Sequence, residues 1–414
     1  MATAFALTYP WLRVRRITPK RRLPPLDDAR RYCLGAGRWR SWYRGFGVRR
    51  GDVCRGRPSR TTHARTAPDD QAPGCRGMRN SGNSCYQNSI LQCLNSVPEF
   101  VEYVRGNASW REEARVGPKL TRVFDDIWSS ERGSVISPEE VQNEVVDVVD
   151  GLTRGAQEDA HEFLVGLLNA LREEGSRNIS SPQYRELDER SDHTIQAKEE
   201  WQYAQEWNNS PIDDIFGFQI HSTISCPSCG KTSHRFEYAT EIQVDIPQSD
   251  TTTRLDDCFR EYTKAEVLDG YSCSECKKSV KALRRSGVYR FPKALVVVLK
   301  RFTSEWDGFS LKVGKVPTPV EIDKDCVDMS MVSSKWGVAG EGVDSGGPGA
   351  YDLVAISNHF GSLNFGHYTA LGRGVADQEF REFDDWCVRN VDQRGFQCDG
   401  AYILFFTRRD DNGI

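Results

Sequence analysis

Residues 80 to 89 read NSGNSCYQNS and run directly into the apolar ILQCL of residues 90 to 94. Small, amide-bearing and hydroxyl-bearing residues surround Cys85, while Ile90, Leu91 and Leu94 follow at helical intervals. The pattern predicts a loop that becomes a helix at the cysteine. In the first turn of a helix the backbone N–H groups lack intrahelical partners, and they stabilise a thiolate placed among them. A cysteine at a helix start is also a common packing residue, so position alone does not assign chemistry.

Outward from this junction the first half reads mostly helical. In QEDAHEFLVGLLNALREE, residues 157 to 174, the residues Ala160, Phe163, Leu164, Leu167, Leu168 and Leu171 define one buried stripe. Asp159 and Glu162, three apart, lie together beside that stripe, either on a solvated helix edge or facing a groove. Residues 172 to 211 are charged and polar and read as a connector of helical pieces and loop. From about residue 215 the periodicity becomes strand-like in EIQVDI, ALVVVLKRF, YDLVAIS, GHYTAL, REFDDW and AYILFF. An α+β chain with an antiparallel sheet in its second half is expected. Six glycines fall between residues 337 and 349, which predicts a flexible inserted loop.

A chain of 414 residues that is 38% hydrophobic and 28% charged buries at least one large core. Its longest apolar run, ALVVVL at 294 to 299, is far short of the ~20 residues a membrane span requires, so no membrane partner is expected. The net charge of -4 hides an asymmetry, because residues 1 to 70 hold 17 Lys or Arg against 5 Asp or Glu. Residues 1–74, rich in Arg, Pro and Gly, read as a basic, disordered arm. The acidic remainder argues against a nucleic-acid partner. Thirteen cysteines, an odd number, in a chain without a secretory leader pattern indicate a reducing compartment, cytoplasmic or nuclear. Residues 1 to 26 carry six basic groups and no acid, like a mitochondrial presequence, but Pro10, Pro19, Pro24 and Pro25 interrupt the helix such a leader needs.

Two CxxC knuckles stand out, Cys226 with Cys229 and Cys273 with Cys276, separated by 43 residues. Each knuckle converges two thiolates, and two knuckles complete a tetrahedral site for one structural Zn²⁺. The segment has little apolar material of its own, so the metal supplies what a core would.

A thiol nucleophile needs a base, and the base needs an orienter. Of seven histidines, His367 in FGHYTAL opens a strand after a small residue. A hairpin folded about Val375 and Ala376 sets His367 directly opposite Asp384, close enough for a carboxylate to hold an imidazole. Strand alternation then points Asp385 away from the ring unless the strand ends at Phe383. Asn80, five residues before Cys85 with Gly82 between, is a candidate oxyanion donor beside the Cys85 backbone N–H. These residues outline a hydrolase built on Cys, His and Asp.

Together, GMRNSGNSCYQNSILQCL, QEDAHEF, the paired knuckles, FPKALVVVLKRF, YDLVAISNHFGSLNFGHYTAL, FDDWCVRNV and GAYILFFTRR resemble, in order, the ubiquitin-specific proteases over about residues 75–409. The resemblance implies a papain-like cysteine protease fold with a helical thumb (about 75–214), zinc-ribbon β fingers (about 215–290) and an antiparallel-sheet palm (about 291–409). It implies Cys85 as nucleophile, His367 as general base and acid, Asp384 as orienter and Asn80 as oxyanion donor. Asp159 and Glu162 match positions that meet the arginines of the ubiquitin tail, and Phe302, His359 and Tyr368 match other groove positions. A monomeric deubiquitinating thiol protease acting on ubiquitin and ubiquitinated proteins is expected, with a catalytically weak ubiquitin-binding module as the alternative. The family usually shows Thr and Met where this chain has Ser84 and Gln87.

Overall fold

A computed structural model describes residues 72–409 apart from 108, 130–134, 188–191, 250, 307–310, 335–348, 363–364 and 392–395. The basic arm up to residue 71 and nearly all of the glycine-rich insertion lie outside the described residues.

The junction at residue 85 is built as its sequence suggests. Gly82 and Asn83 take left-handed φ angles of 114° and 52° and turn the chain, and Ser84 then precedes a helix that runs Cys85–Leu94. All ten residues of that helix are buried. It is wedged between the helix Ala160–Glu174 and the strand Phe365–Arg373, with Tyr86 and Phe163 meeting edge to face at 5.7 Å. The six stripe residues of Ala160–Glu174 are all buried. Asp159 starts this second helix by accepting from the backbone N–H groups of His161 and Glu162.

The palm is a mostly antiparallel sheet ordered Cys387–Asn390, Phe380–Asp384, Phe365–Arg373, Ala350–Ser362, Ala401–Arg408, Ala294–Leu299 and Ile242–Val244. The last of these pairs parallel to its neighbour, within an otherwise antiparallel sheet. Both faces of the sheet are covered. Ala294, Val296 and Val298 join the core shared with the thumb helices, whereas Leu295, Val297 and Leu299 join a second core with Leu255, Cys258 and Phe259 of the helix Leu255–Tyr262. Burial on two faces is why ALVVVL is a continuous apolar run.

The fingers are a four-stranded antiparallel sheet ordered Thr232–Ala239, Phe218–Ser225, Ser279–Arg290 and Glu266–Ser272. The connector of residues 172–211 is made of helical pieces and loop, as its sequence suggests. It contains one 15-residue helix, His193–Trp207, which packs on Thr232–Ala239. The helix buries only Gln196 and Ala197, so it has no apolar stripe to read. Its anchors are the Asp192 N-cap, a hydrogen bond from Gln219 to the Ala197 carbonyl, and Trp201 stacked on Tyr238.

Candidate active site

Cys85 is the first residue of its helix, and Ser84 supplies no side-chain cap. Asn80 folds back over this turn: its Oδ1 accepts from the backbone N–H groups of Gly82 (2.9 Å) and Ser84 (3.2 Å). The Asn80 amide is therefore oriented with Nδ2 outward. That nitrogen donates to Asp385 Oδ2 at 2.9 Å and has a second hydrogen left for a ligand.

His367 lies 2.7 Å from Asp384, Nε2 to Oδ1, and Cys85 is near enough to the same ring to act on its protonation. With Nε2 taken by the carboxylate, Nδ1 is the ring nitrogen left for the thiol. The Asp384 hydrogen bond, followed by Cys85, holds the imidazole pKa up at about 10 against the opposing effect of burial. The Asp384 carboxyl is held below its usual range, chiefly by His367. Arg389 stands 3.7 Å from its other oxygen.

The hairpin register differs from the expectation. Ala370 pairs with Phe383 and Arg373 with Phe380, so the turn centres one residue later than Val375 and Ala376. A shift of one in the centre moves every partner by two. Extended along both strands, this register sets Thr369, not His367, across from Asp384, and the His367 contact is diagonal. Because side chains repeat with period two, a shift of two keeps them on the same face, and a diagonal pair is still within reach of an imidazole.

Asp385 was the residue least legible in sequence. The strand ends at Asp384, and Asp385 takes a left-handed φ of 50°. Its two oxygens accept from Asn80 (2.9 Å) and from Asn88 of the cysteine helix (2.8 Å). Its carbonyl accepts from Met78 N–H at 2.9 Å. The neighbouring Gly77 lies so close to the Trp386 carbonyl that a Cβ there would overlap it. Asp385 thus joins the palm to the loop before the cysteine, contrary to simple alternation. The only sequence signal was the Asp-Asp-Trp triplet at a strand end.

A groove leads to the thiol, lined by residues that include Cys85, Asp159, Glu162, Phe302, His359 and Tyr368. All five groove residues named from the sequence line it. Asn83, Tyr86, Gln157, Glu158 and Gly366 line it as well; Gln157 and Glu158 belong to the same QEDAHEF stretch. Asp159 is committed to the protein, since Tyr402 donates to both of its oxygens at about 3 Å in addition to the helix cap. Glu162 has its pKa raised by burial and then by the charges of Asp159 and Glu158, so the groove floor favours a cation.

At the far end of the fingers, Cys226 and Cys229 occupy the turn between Phe218–Ser225 and Thr232–Ala239. Cys273 and Cys276 occupy the turn between Glu266–Ser272 and Ser279–Arg290. The turns repeat one hydrogen-bond pattern, Cys226 N–H to Lys231 carbonyl and Cys273 N–H to Lys278 carbonyl. The four sulfurs lie within 4.8 Å of one another, with Cys226 to Cys276 at 3.9 Å and Cys229 to Cys273 at 3.7 Å. Tetrahedral Zn–S bonds of ~2.3 Å set sulfurs ~3.8 Å apart, so the four thiols fit such an ion.

A helix-borne thiol and a histidine on a mostly antiparallel sheet, in a domain of helices, fingers and palm, are the layout of the papain-like fold. The family model described as ubiquitin carboxyl-terminal hydrolase matches residues 76–406, and the chain belongs to that family. It is 30% identical over 386 residues to ubiquitin carboxyl-terminal hydrolase 2 of Rattus norvegicus, covering 90% of this chain and 59% of that protein. It is 28% identical over 354 residues to ubiquitin carboxyl-terminal hydrolase Usp2 of Drosophila melanogaster, covering 83% of this chain and 36% of that one. The chain thus spans about three fifths or less of these relatives' length. Among solved structures, the SAGA Ubp8/Sgf11/Sus1/Sgf73 DUB module bound to ubiquitin aldehyde shares its fold, with a TM-score of 0.62 at 22% identity, covering 85% of this chain and 72% of that chain.

Proposed function

We propose that the chain is a thiol-dependent deubiquitinase that hydrolyses the peptide or isopeptide bond after the last glycine of ubiquitin. The observation that carries this reading is the line of Cys85, His367 and Asp384 at the head of a groove, in a chain of this family.

In this reading the Cys85 thiolate attacks the glycine carbonyl carbon. The carbonyl oxygen gains charge and takes hydrogen bonds from the free Asn80 N–H and the Cys85 backbone N–H. His367, charged while paired with the thiolate, gives its proton to the departing lysine amine, and the acyl-enzyme forms. The ring then deprotonates a water that attacks the thioester and returns the proton to sulfur. Asp384 keeps the ring oriented through both steps. Glu162 and its acidic neighbours receive an arginine of the tail, while Phe302, His359 and Tyr368 wall the narrow end where only glycine fits. Ubiquitin carrying an electrophile at its C-terminus should form one covalent adduct, located at Cys85 by peptide mapping. An adduct elsewhere, or none, overturns the assignment.

The paired knuckles hold one structural Zn²⁺ in the same proposal, tying the two finger hairpins together at their tips. Metal analysis should find about one zinc per chain. In Cys226→Ser or Cys276→Ser chains the zinc is lost and amide exchange in the finger strands accelerates. Freshly purified active protein without zinc contradicts the site.

A further inference from the structure

His359 forms part of the groove wall, packed edge-on by Phe302 with ring centroids 5.2 Å apart and flanked by Tyr368 at 4.7 Å. Behind it stands Lys315, the last residue of the strand Leu311–Lys315. Its Nζ contacts three acceptors: His359 Nδ1 at 2.8 Å, the His359 carbonyl at 2.8 Å and the Gly361 carbonyl at 3.1 Å. An ammonium has three hydrogens and no lone pair, so these three contacts use it completely. The Nδ1 atom it touches must then be an acceptor, and a neutral ring in that state carries its proton on Nε2. That nitrogen faces Gly366, where a Cβ would overlap it, and Gly366 is itself a groove residue.

We propose that Lys315 is a positioning residue that fixes His359 as a neutral imidazole with its N–H on Nε2, presented to the groove as a donor for a backbone carbonyl of the substrate's C-terminal tail. The choice of a tail carbonyl rests on the deubiquitinase reading above; the tautomer does not. Phe302 and Tyr368 restrict the plane of the ring, but neither distinguishes one nitrogen from the other. Only Lys315 does. Burial, then Lys315, then Arg301 and His367, depress the His359 pKa to about 4, so the ring stays uncharged through neutral pH. Arg301 is fully buried and donates to the carbonyls of Ala401, Val316 and Thr318, and its positive charge is one of those that act on this ring. A donor matters because an extended glycine tail offers its carbonyls sideways to the groove, and an unprotonated Nε2 would repel them.

The full chain carrying ¹⁵N-labelled histidine gives the tautomer directly from long-range proton–nitrogen spectra, with His359→Gln identifying the signal. Wild type should show protonated Nε2 and unprotonated Nδ1 without titration between about pH 6 and 7, below the Lys315 pKa, which burial and then Arg301 lower to about 8. In Lys315→Met the ring should populate both tautomers and titrate nearer the ordinary ~6.5. With a fluorogenic amide at the ubiquitin C-terminus, Lys315→Met should raise KM about five- to tenfold, the loss of one hydrogen bond, with kcat within about twofold. Lys315→Arg, still a donor, should recover most of that loss. An unchanged His359 spectrum in Lys315→Met overturns the proposal, as does a KM defect that Lys315→Arg shares in full. A wild-type chain inactive on ubiquitin sinks the functional reading instead, and the spectra then decide the role of Lys315 alone.

Discussion

A Cys85→Ala chain should turn over no ubiquitin conjugate and should still bind ubiquitin. Nothing else in the described groove can replace the sulfur as nucleophile, since Cys93, the next thiol on the same helix, is fully buried and its pKa is pushed well up by that burial. The substitution removes a single atom from the first turn and installs the strongest helix former, so the helix Cys85–Leu94 and the groove persist. The thiol is also one of the groups that raise the His367 pKa, so the ring should titrate at lower pH in this variant. Single-turnover assays measure the first claim and binding of labelled ubiquitin the second. Persistent turnover in the purified variant rejects Cys85 as the nucleophile, whereas lost binding with an unfolded thumb places the residue in the core.

The adjacent carboxylates give the next largest effects, and for different reasons. Asp384→Ala frees the imidazole to turn and should lower kcat within the ~10²–10⁴ range of positioned acid–base groups. It also removes the largest influence raising the His367 pKa. A raised pKa means the imidazolium survives to high pH, so its loss brings the alkaline fall in activity down toward ~6.5. Asp384→Asn retains an acceptor oxygen and should be milder. Asp385→Ala acts on the other side of the reacting carbon. It releases Asn80 and Asn88 and puts a residue less tolerant than Asp into a left-handed φ, so the oxyanion donor is misplaced. A loss of about 10–10² in kcat is expected, below the ~10²–10³ of deleting such a donor outright, with no shift of the alkaline limb. Steady-state kcat across pH for both variants separates the two. An Asp385→Ala profile displaced like that of Asp384→Ala would show both carboxylates acting through the ring.

The comparison of these two residues shows where reading a sequence stops. Their faces followed from alternation only while the chain stayed a strand, and the hairpin arithmetic assumed a symmetric turn. The pairing of Gly374 N–H with the Glu379 carbonyl and of Gln378 N–H with the Gly374 carbonyl, with Gln378 at a φ of 62°, moved the centre of the turn. The diagonal contact survived because the error was an even number of residues. Asp385 did not follow the pattern because its backbone left the strand, a change governed by Met78 and Asn80, roughly three hundred positions away.

Local order was legible throughout. The change from helical to alternating periodicity near residue 215 marked the two halves, the helix stripe and the doubly buried ALVVVL run followed from side-chain spacing, and two CxxC turns placed four thiols together. These depend on neighbours in the chain, and neighbours are what a sequence lists. The seating of the helix His193–Trp207 on Thr232–Ala239, the Tyr402 hydroxyl on Asp159, the Asp385 bridge to Asn80 and the Lys315 ammonium under His359 were decided only by the tertiary structure. Each joins polar groups from separate elements, and such groups carry no periodicity; their partners are set by how the thumb, fingers and palm pack, through contacts whose directions no single segment encodes.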